Sequence, residues 1–268
     1  MRSILLGAVC GIAFAATANA GDLYAPGGYK DAYVPAPLWT GFYAGIHGGY
    51  ATGGWDGTLL YNGGDSGIEG KHKLDADGGF GGVQIGYNRQ INSLVLGVEA
   101  DISGSGLSGK GSYETKVFYA PNGSYFKNFD ADVDYFGTVR GRIGYSFGNF
   151  LPYVTGGLAY GHAHLKNNVY DVHFAYTKDT GDADATQVGW TAGAGVEYAL
   201  GNHWSIKAEW LYIDLGQQDY RITGTDNSVP YGGGIGPFTS DSFKADLTFN
   251  TFKAGLNYKF GGIYEPLK

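Results

Sequence analysis

Cysteine is almost missing from this chain: Cys10 is the only one in 268 residues, and it lies inside the apolar start of the sequence. A single thiol allows neither an internal disulfide nor a thiolate metal centre, so stability must come from backbone pairing and packing. Beyond that start, no apolar run approaches the roughly 20 residues that a spanning helix requires, and the mean hydropathy is −0.18. Insertion as transmembrane helices is excluded. Basic residues are scarce as well. Eighteen Lys and Arg stand against 25 Asp and Glu, for a net charge of −7, which leaves no broad cationic surface and no expectation of a nucleic-acid partner.

What is abundant is glycine, 48 residues, with 22 Tyr and 15 Phe. Glycine weakens an ordinary strand, but a small closed barrel needs room on its inner face and tight bends in its wall. Period-two alternation is clearest where Val188, Trp190, Ala192, Ala194, Val196, Tyr198 and Leu200 interleave with Gln187, Gly189, Thr191, Gly193, Gly195 and Glu197. Such alternation is a strand with two unlike faces. An apolar, aromatic face opposite one of Gly, Thr and carboxylate suits a closed sheet with lipid outside and a polar interior. Each strand of such a sheet needs only about 9 to 11 residues, every second one apolar.

The ends and connections divide the chain. Residues 1–20 read as a secretory signal, with Arg2 as the charged start and Ala18-Asn19-Ala20 as a small-residue cleavage site; the residues before Cys10 do not suit lipid attachment. Residues 21–38, with Pro26, Pro35 and Pro37, form a flexible leader; 39–260 form the barrel and 261–268 a short tail. The strands expected are 41–50, 79–91, 94–103, 133–147, 150–161, 186–200, 204–214 and 249–260. Very short connections at 92–93, 148–149 and 201–203 alternate with long ones at 51–78, 104–132, 162–185 and 215–248, which read as loops. Short turns on one side and long loops on the other describe an antiparallel eight-stranded up-and-down β-barrel of the outer-membrane type, with both chain ends in the periplasm. At eight strands the bore is just filled by side chains.

Charged residues support the register. Counting from the short turns puts Gly86 opposite Glu99, Gln84 opposite Asp101, Arg140 opposite Gly157, Arg142 opposite Thr155 and Glu197 opposite Lys207, with Glu209 and Lys253 at similar heights. The same counting brings Glu99 level with Arg142 and Asp101 level with Arg140. These eight charges are expected inside, paired, because ionised groups survive burial only when paired and hydrogen-bonded. On the lipid face an Arg or Lys would cost about 2 to 4 kcal/mol at mid-membrane. A soluble barrel of the opposite sense fits the alternation equally well, but the exposed row Trp204, Ile206, Ala208, Trp210 and Tyr212 argues against it.

Three segments carry a family resemblance: Trp39-Thr-Gly-Phe-Tyr-Ala-Gly-Ile-His-Gly-Gly-Tyr50, Trp204-Ser-Ile-Lys-Ala-Glu-Trp-Leu-Tyr-Ile-Asp-Leu-Gly216 and Thr251-Phe-Lys-Ala-Gly-Leu-Asn-Tyr-Lys-Phe260. They resemble the opening, seventh and closing strands of the alphaproteobacterial outer-membrane immunogenic proteins, among the opacity-type porin-like barrels. The resemblance implies a surface-exposed structural barrel that contributes to envelope integrity. It implies contact with outer-membrane lipid and lipopolysaccharide, and recognition by the barrel assembly machinery through Phe252, Leu256, Tyr258 and Phe260. Some relatives are described as haem-binding or as small porins. One departure is that this chain continues past Phe260, where family members usually end.

Other motifs carry less chemistry. Gly104-Ser-Gly106-Leu-Ser-Gly109 matches a dinucleotide fingerprint by letter, but no helix follows it, and it reads as a glycine-rich loop. His162 and His164 share a strand face and His173 follows in the same loop, so a haem could use them. His47 reads as an interior polar residue. Ser103, Ser205, His203 and Glu209 are the residue types of a hydrolase, yet no spacing joins them into a triad. Asp56, Asp65, Glu69, Asp75 and Asp77 fall in the first long loop without calcium-loop spacing, and read as a solvated acidic stretch more than as a cation bridge to lipopolysaccharide. The reading is therefore a monomeric structural barrel with no catalytic residues, cofactor or metal; the alternatives are a haem-binding or narrow-pore version and, more distantly, a lipid-modifying enzyme.

Overall fold

Period-two alternation becomes eight antiparallel strands: β1 (Gly41–Leu60), β2 (Glu69–Ile91), β3 (Leu94–Lys116), β4 (Ser124–Tyr145), β5 (Phe150–Asp171), β6 (Tyr176–Gly201), β7 (Trp204–Asp226) and β8 (Gly236–Lys259). The computed structural model describes residues 38–60, 69–116, 124–171, 176–201, 203–226 and 236–260. The chain divides into Met1–Val34, which lies outside the described residues together with the expected signal and most of the leader, and Pro35–Lys268, which holds the barrel. The tail at 261–268 also lies outside them.

Each strand pairs with its sequence neighbours, and β1 pairs with β8, so the sheet closes with no free edge. Closure satisfies the backbone groups that an open sheet would leave unpaired. The short connections are as tight as the sequence implies. Ile91 pairs with Leu94 across a two-residue turn whose Asn92 takes a φ of 55°, a region Asn tolerates. Gly148, with a φ of 67°, does the same between Phe147 and Phe150.

The long connections differ from the expectation. Most of each expected loop is paired strand, so that the strands run to 20–26 residues. Hairpin pairing carries β1 to Leu60 and resumes in β2 at Glu69. Strand propensity is low there, since Gly, Asp, Asn and Ser dominate, but the ladder inherited from the well-patterned half is continued residue by residue. The Gly104–Gly109 stretch is likewise part of β3, at a bulge between Gly104 and Leu107, and not a loop. His162 and His164 lie in β5.

Outside, the barrel wears an apolar belt next to its short turns. Phe42, Ile46, Val83, Ile85, Val98, Val139, Ile143, Val154, Leu158, Val188, Trp190, Ile206 and Trp210 are all exposed there. Aromatics edge the belt: Phe42 packs on Tyr87, Trp204 on Tyr258, and at the other margin Trp190 on Tyr212. Eight residues separate Trp204 from Tyr212 and Tyr198 from Trp190. At about 3.3 Å per residue and a tilt near 40°, that is a band of about 20 Å, so roughly half of each strand stands beyond it.

Inside, the expected polar interior holds for only part of the barrel's length. Level with the belt the interior is charged and polar, but toward the long-connection end it is apolar. Trp55, Leu74, Phe80, Leu107, Phe136, Leu211, Ile213, Leu215, Leu247 and Phe249 form one buried cluster. Phe80 and Phe249 meet Phe136 edge to face at 5.2 and 5.3 Å. Past the belt the outer face is polar, carrying Asp134, His162, Asp184 and Thr186, and the apolar side chains of the wall are buried on its inner face.

Candidate functional site: a charge-filled bore

Every strand sends at least one polar side chain into the bore beside the belt. Arg140 of β4 sits at the centre, fully enclosed. Its Nη2 lies 2.6 Å from Glu99 Oε1 and 3.0 Å from Asp101 Oδ2, and its Nη1 lies 3.1 Å from Glu209 Oε2. Lys253 reaches Asp101 at 3.2 Å and Glu209 at 3.0 Å, and Lys207 donates to both oxygens of Glu99 at 2.7 and 2.9 Å. Arg142 reaches Glu197 at 2.8 Å and Glu99 at 3.7 Å, between the rings of Tyr43 and Tyr153. The four carboxylates and four cations named from the sequence thus fall into one cluster whose formal charges cancel.

Neutral groups complete it. Tyr43 donates to Glu99 at 2.7 Å, Tyr153 to Glu209 at 2.9 Å and Thr138 to Asp101 at 2.7 Å. Glu197 accepts from Ser205 and Asn257, and Arg142 Nε donates to Asn88. Glycines opposite the long side chains keep the space clear: a β-carbon on Gly157 would lie 2.2 Å from the Val139 carbonyl oxygen, beside Arg140.

The register within each short hairpin is as counted, including Gly86 with Glu99, Arg142 with Thr155 and Glu197 with Lys207. Glu209 stands directly opposite Lys253. Across β3 and β4 the count is two residues out. Glu99 faces Arg140, and Asp101 faces Thr138. Counting from the turns assumes level strands, whereas closing a barrel staggers them. Lys207, although opposite Glu197, bonds to Glu99 across the bore, and Glu197 is taken by Arg142.

Gln84 stands opposite Asp101 as counted, whereas the sequence marks Tyr43, Tyr153, Asn88 and Asn257 only by their place on the inward parity of each strand. Trp39 carries a further role. Its indole N–H donates to Ser146 Oγ and the Gly148 carbonyl, each at 3.1 Å, and its ring is buried with Val95, Leu151 and Ala199 across the short-turn mouth. Behind it lies a cavity of about 130 Å³ reaching Glu197 and Ser205. Replacing Trp39 by Ala should speed amide exchange in the Phe147–Phe150 turn about tenfold, since each lost hydrogen bond is worth about 0.5–1.5 kcal/mol; hydrogen-exchange mass spectrometry reads it.

The candidate haem ligands lie elsewhere. His162 and His164 are on the outer wall beyond the belt; His162 stacks on Tyr135 at 5.6 Å and contacts Thr186 Oγ1 at 3.2 Å. His173 lies outside the described residues. Among the described residues, no three His, Cys, Asp or Glu side chains are placed to hold a metal. Hydrolase-type residues are dispersed: Ser205 serves Glu197, His203 contacts the Lys259 carbonyl, Glu209 serves Arg140, and Ser103 pairs with His47 at 2.8 Å inside the bore. Of the first-loop acids, Asp65 lies outside the described residues, while Asp56, Asp75 and Asp77 stand on β1 and β2.

At the closing seam Phe260 donates its N–H to Phe42 O at 2.8 Å, and Tyr258 packs on Phe260 at 5.3 Å, while Phe252 is exposed on the belt. The family model of the outer membrane protein beta-barrel domain matches residues 4–260 of this closed barrel's chain. The chain belongs to this outer-membrane family. It is 35% identical to the 31 kDa outer-membrane immunogenic protein of Brucella melitensis biotype 1, over 97% of this chain and 100% of that one. The 22 kDa outer membrane protein of Rhizobium leguminosarum bv. viciae is 33% identical, over 84% of this chain and 80% of that one. Among solved structures, the outer membrane protein OprG from Pseudomonas aeruginosa overlays with a TM-score of 0.47 at 15% identity, covering 83% of this chain and 97% of that one. The protein is therefore an outer-membrane β-barrel, and these relatives bear the names of outer-membrane proteins.

Proposed function

We propose that this barrel is a sealed, monomeric, non-catalytic scaffold of the outer membrane that contributes to envelope integrity. Its short turns and both chain ends lie on the periplasmic side, and its long-strand end stands at the cell surface. The observation that carries this reading is the charge cluster. Eight ionised side chains in mutual contact fill the bore at the belt, and the aromatic cluster from Trp55 to Phe249 closes it again above. Two successive fillings of opposite character, charged at the belt and aromatic above it, support the reading of a closed, non-catalytic bore. The apolar belt fits outer-membrane lipid, and the surface beyond it lipopolysaccharide. Phe252, Leu256, Tyr258 and Phe260 supply the aromatic last strand through which the assembly machinery would take up the chain.

Planar-bilayer recording tests the seal. Purified protein should add no stable conductance level above leak, and a discrete open level in the wild type would refute it. The haem alternative is separable: haem titration of wild type and a His162→Ala/His164→Ala variant should give the same weak binding, and loss of a tight site in the variant would favour capture on the outer wall.

A further inference from the structure

The outer wall of the belt is almost without charge. Between the short turns and the aromatic margin above them, the charges of the bore cluster point inward, and Lys259 turns across the mouth to the Leu38 carbonyl. Among the described residues of that zone, Arg89 of β2 is the only ionised side chain on the outer face, and no acid stands near it there. It is exposed, close to the Asn92-Ser93 turn. An arginine so placed lays its stem along apolar surface and holds its guanidinium at the level of the lipid headgroups.

Two grooves open on the wall beside it. One, of about 440 Å³, is walled by Phe42, Ile85, Tyr87 and Val98 around the small side chains of Ala44 and Ala100. The other, of about 450 Å³, is walled by Leu96, Ile143 and Val154 around Gly141 and Gly156. Glu99 and Arg142 border them only through the wall, since their side chains are buried in the bore. Register joins the three features. Arg89 faces Leu96 of the second groove across β2 and β3, and it follows Tyr87 of the first on the same face of β2. Val98 faces Gly141, so the grooves adjoin along β3 and β4. Packing within the barrel does not require glycine at 141: its φ is not in the left-handed region, and the nearest neighbour of a β-carbon there would be Gly156 O at 4.0 Å. The room it leaves lies on the outside.

We propose that Arg89 and the two grooves form a site for one two-tailed phospholipid of the periplasmic leaflet, with the guanidinium on its phosphodiester and an acyl chain along each groove. The leaflet rests on the orientation proposed above; the site does not rest on closure of the bore. The chemistry follows from the parts. A guanidinium meets two phosphate oxygens at once, and apolar grooves that face hydrocarbon reward contact with chain methylenes. A second barrel fits the same face poorly. Its belt presents no exposed acid among the described residues, so docking it here would bury the Arg89 charge without a partner. Lipopolysaccharide belongs to the opposite leaflet under the same orientation.

The probe is dioleoyl-phosphatidylglycerol, titrated into the full-length barrel in detergent and counted by native mass spectrometry. Wild type should take up one molecule in a saturable step, and dioleoylglycerol, which lacks the phosphate, should bind several-fold more weakly. Arg89→Gln should lower the phospholipid affinity several-fold, to the level of the diacylglycerol, while Arg89→Lys keeps part of the difference. Ala100→Leu/Gly141→Leu puts one larger side chain into each groove and should lower both affinities, with the folded gel mobility unchanged. Equal phospholipid uptake by wild type, Arg89→Gln and the filled variant overturns the site, because the lipid would then coat the belt without preference. So does a wild-type dimer that the filled variant loses, because the occupant would be a second copy. Orientation is read separately: Ser93→Cys, in a Cys10→Ser background, should react with a membrane-impermeant maleimide only once the outer membrane of whole cells is opened. Labelling of intact cells overturns the leaflet and the orientation together, whereas the titration decides the site.

Discussion

Replacing Arg140 by Leu should destabilise the folded barrel by about 3–5 kcal/mol, the usual penalty for leaving buried charge uncompensated. Arg140 lies within 3.1 Å of three carboxylates, Glu99, Asp101 and Glu209, and all four side chains are buried. Its loss turns a balanced set of four acids and four bases into one with an excess negative charge inside a low-dielectric wall. Urea titration of the protein in short-chain lipid vesicles, followed by tryptophan emission, measures the effect. A companion variant separates charge from packing: adding Glu99→Gln to Arg140→Leu restores neutrality and should recover a substantial part of the loss. If the double variant is as unstable as the sum of the two singles, the residues do not act as one coupled cluster.

Replacing Trp55 by Ala should be the second large loss, again about 3–5 kcal/mol, from the transfer and cavity terms of a large aromatic deletion. Trp55 is 1% exposed and belongs to the cluster with Phe80, Phe136 and Phe249. This loss should be regional. The belt half keeps its charge cluster and its lipid contacts, so limited proteolysis should begin to cut the distal strands while the belt half stays folded and heat-modifiable on gels. Uniform loss of both halves at the same urea concentration would show that the two interiors are one cooperative unit.

The belt half was legible in the sequence because membrane and bore impose opposite demands on alternate residues. Trp204, Ile206 and Trp210 could be assigned to one side and Lys207 and Glu209 to the other by parity alone, and short turns such as Asn92-Ser93 fixed the register. Stagger was not legible: nothing local tells Glu99 that its neighbour across β4 is Arg140 and not Arg142, because that offset is a property of closure. The distal half reads as loops from the sequence, since pairing there is inherited and not driven by strand propensity. A clue was present in Leu211-Tyr212-Ile213 and Leu247-Thr-Phe249, where both parities turn apolar or apolar residues take the inward one, marking a wall with something to bury inside as well as out. Trp39 carried no signal of its contact with Ser146 and Gly148, more than 100 residues away.

The ordered distal half changes what an approaching molecule meets. With its own aromatic filling, the portion past the lipid belt is packed from within, and its outer features are assembled across strands: Tyr135, His162 and Thr186 are register neighbours on β4, β5 and β6. Under the proposed orientation, an antibody reading that patch would depend on a conformational epitope, which a linear peptide cut from any single hairpin cannot reproduce.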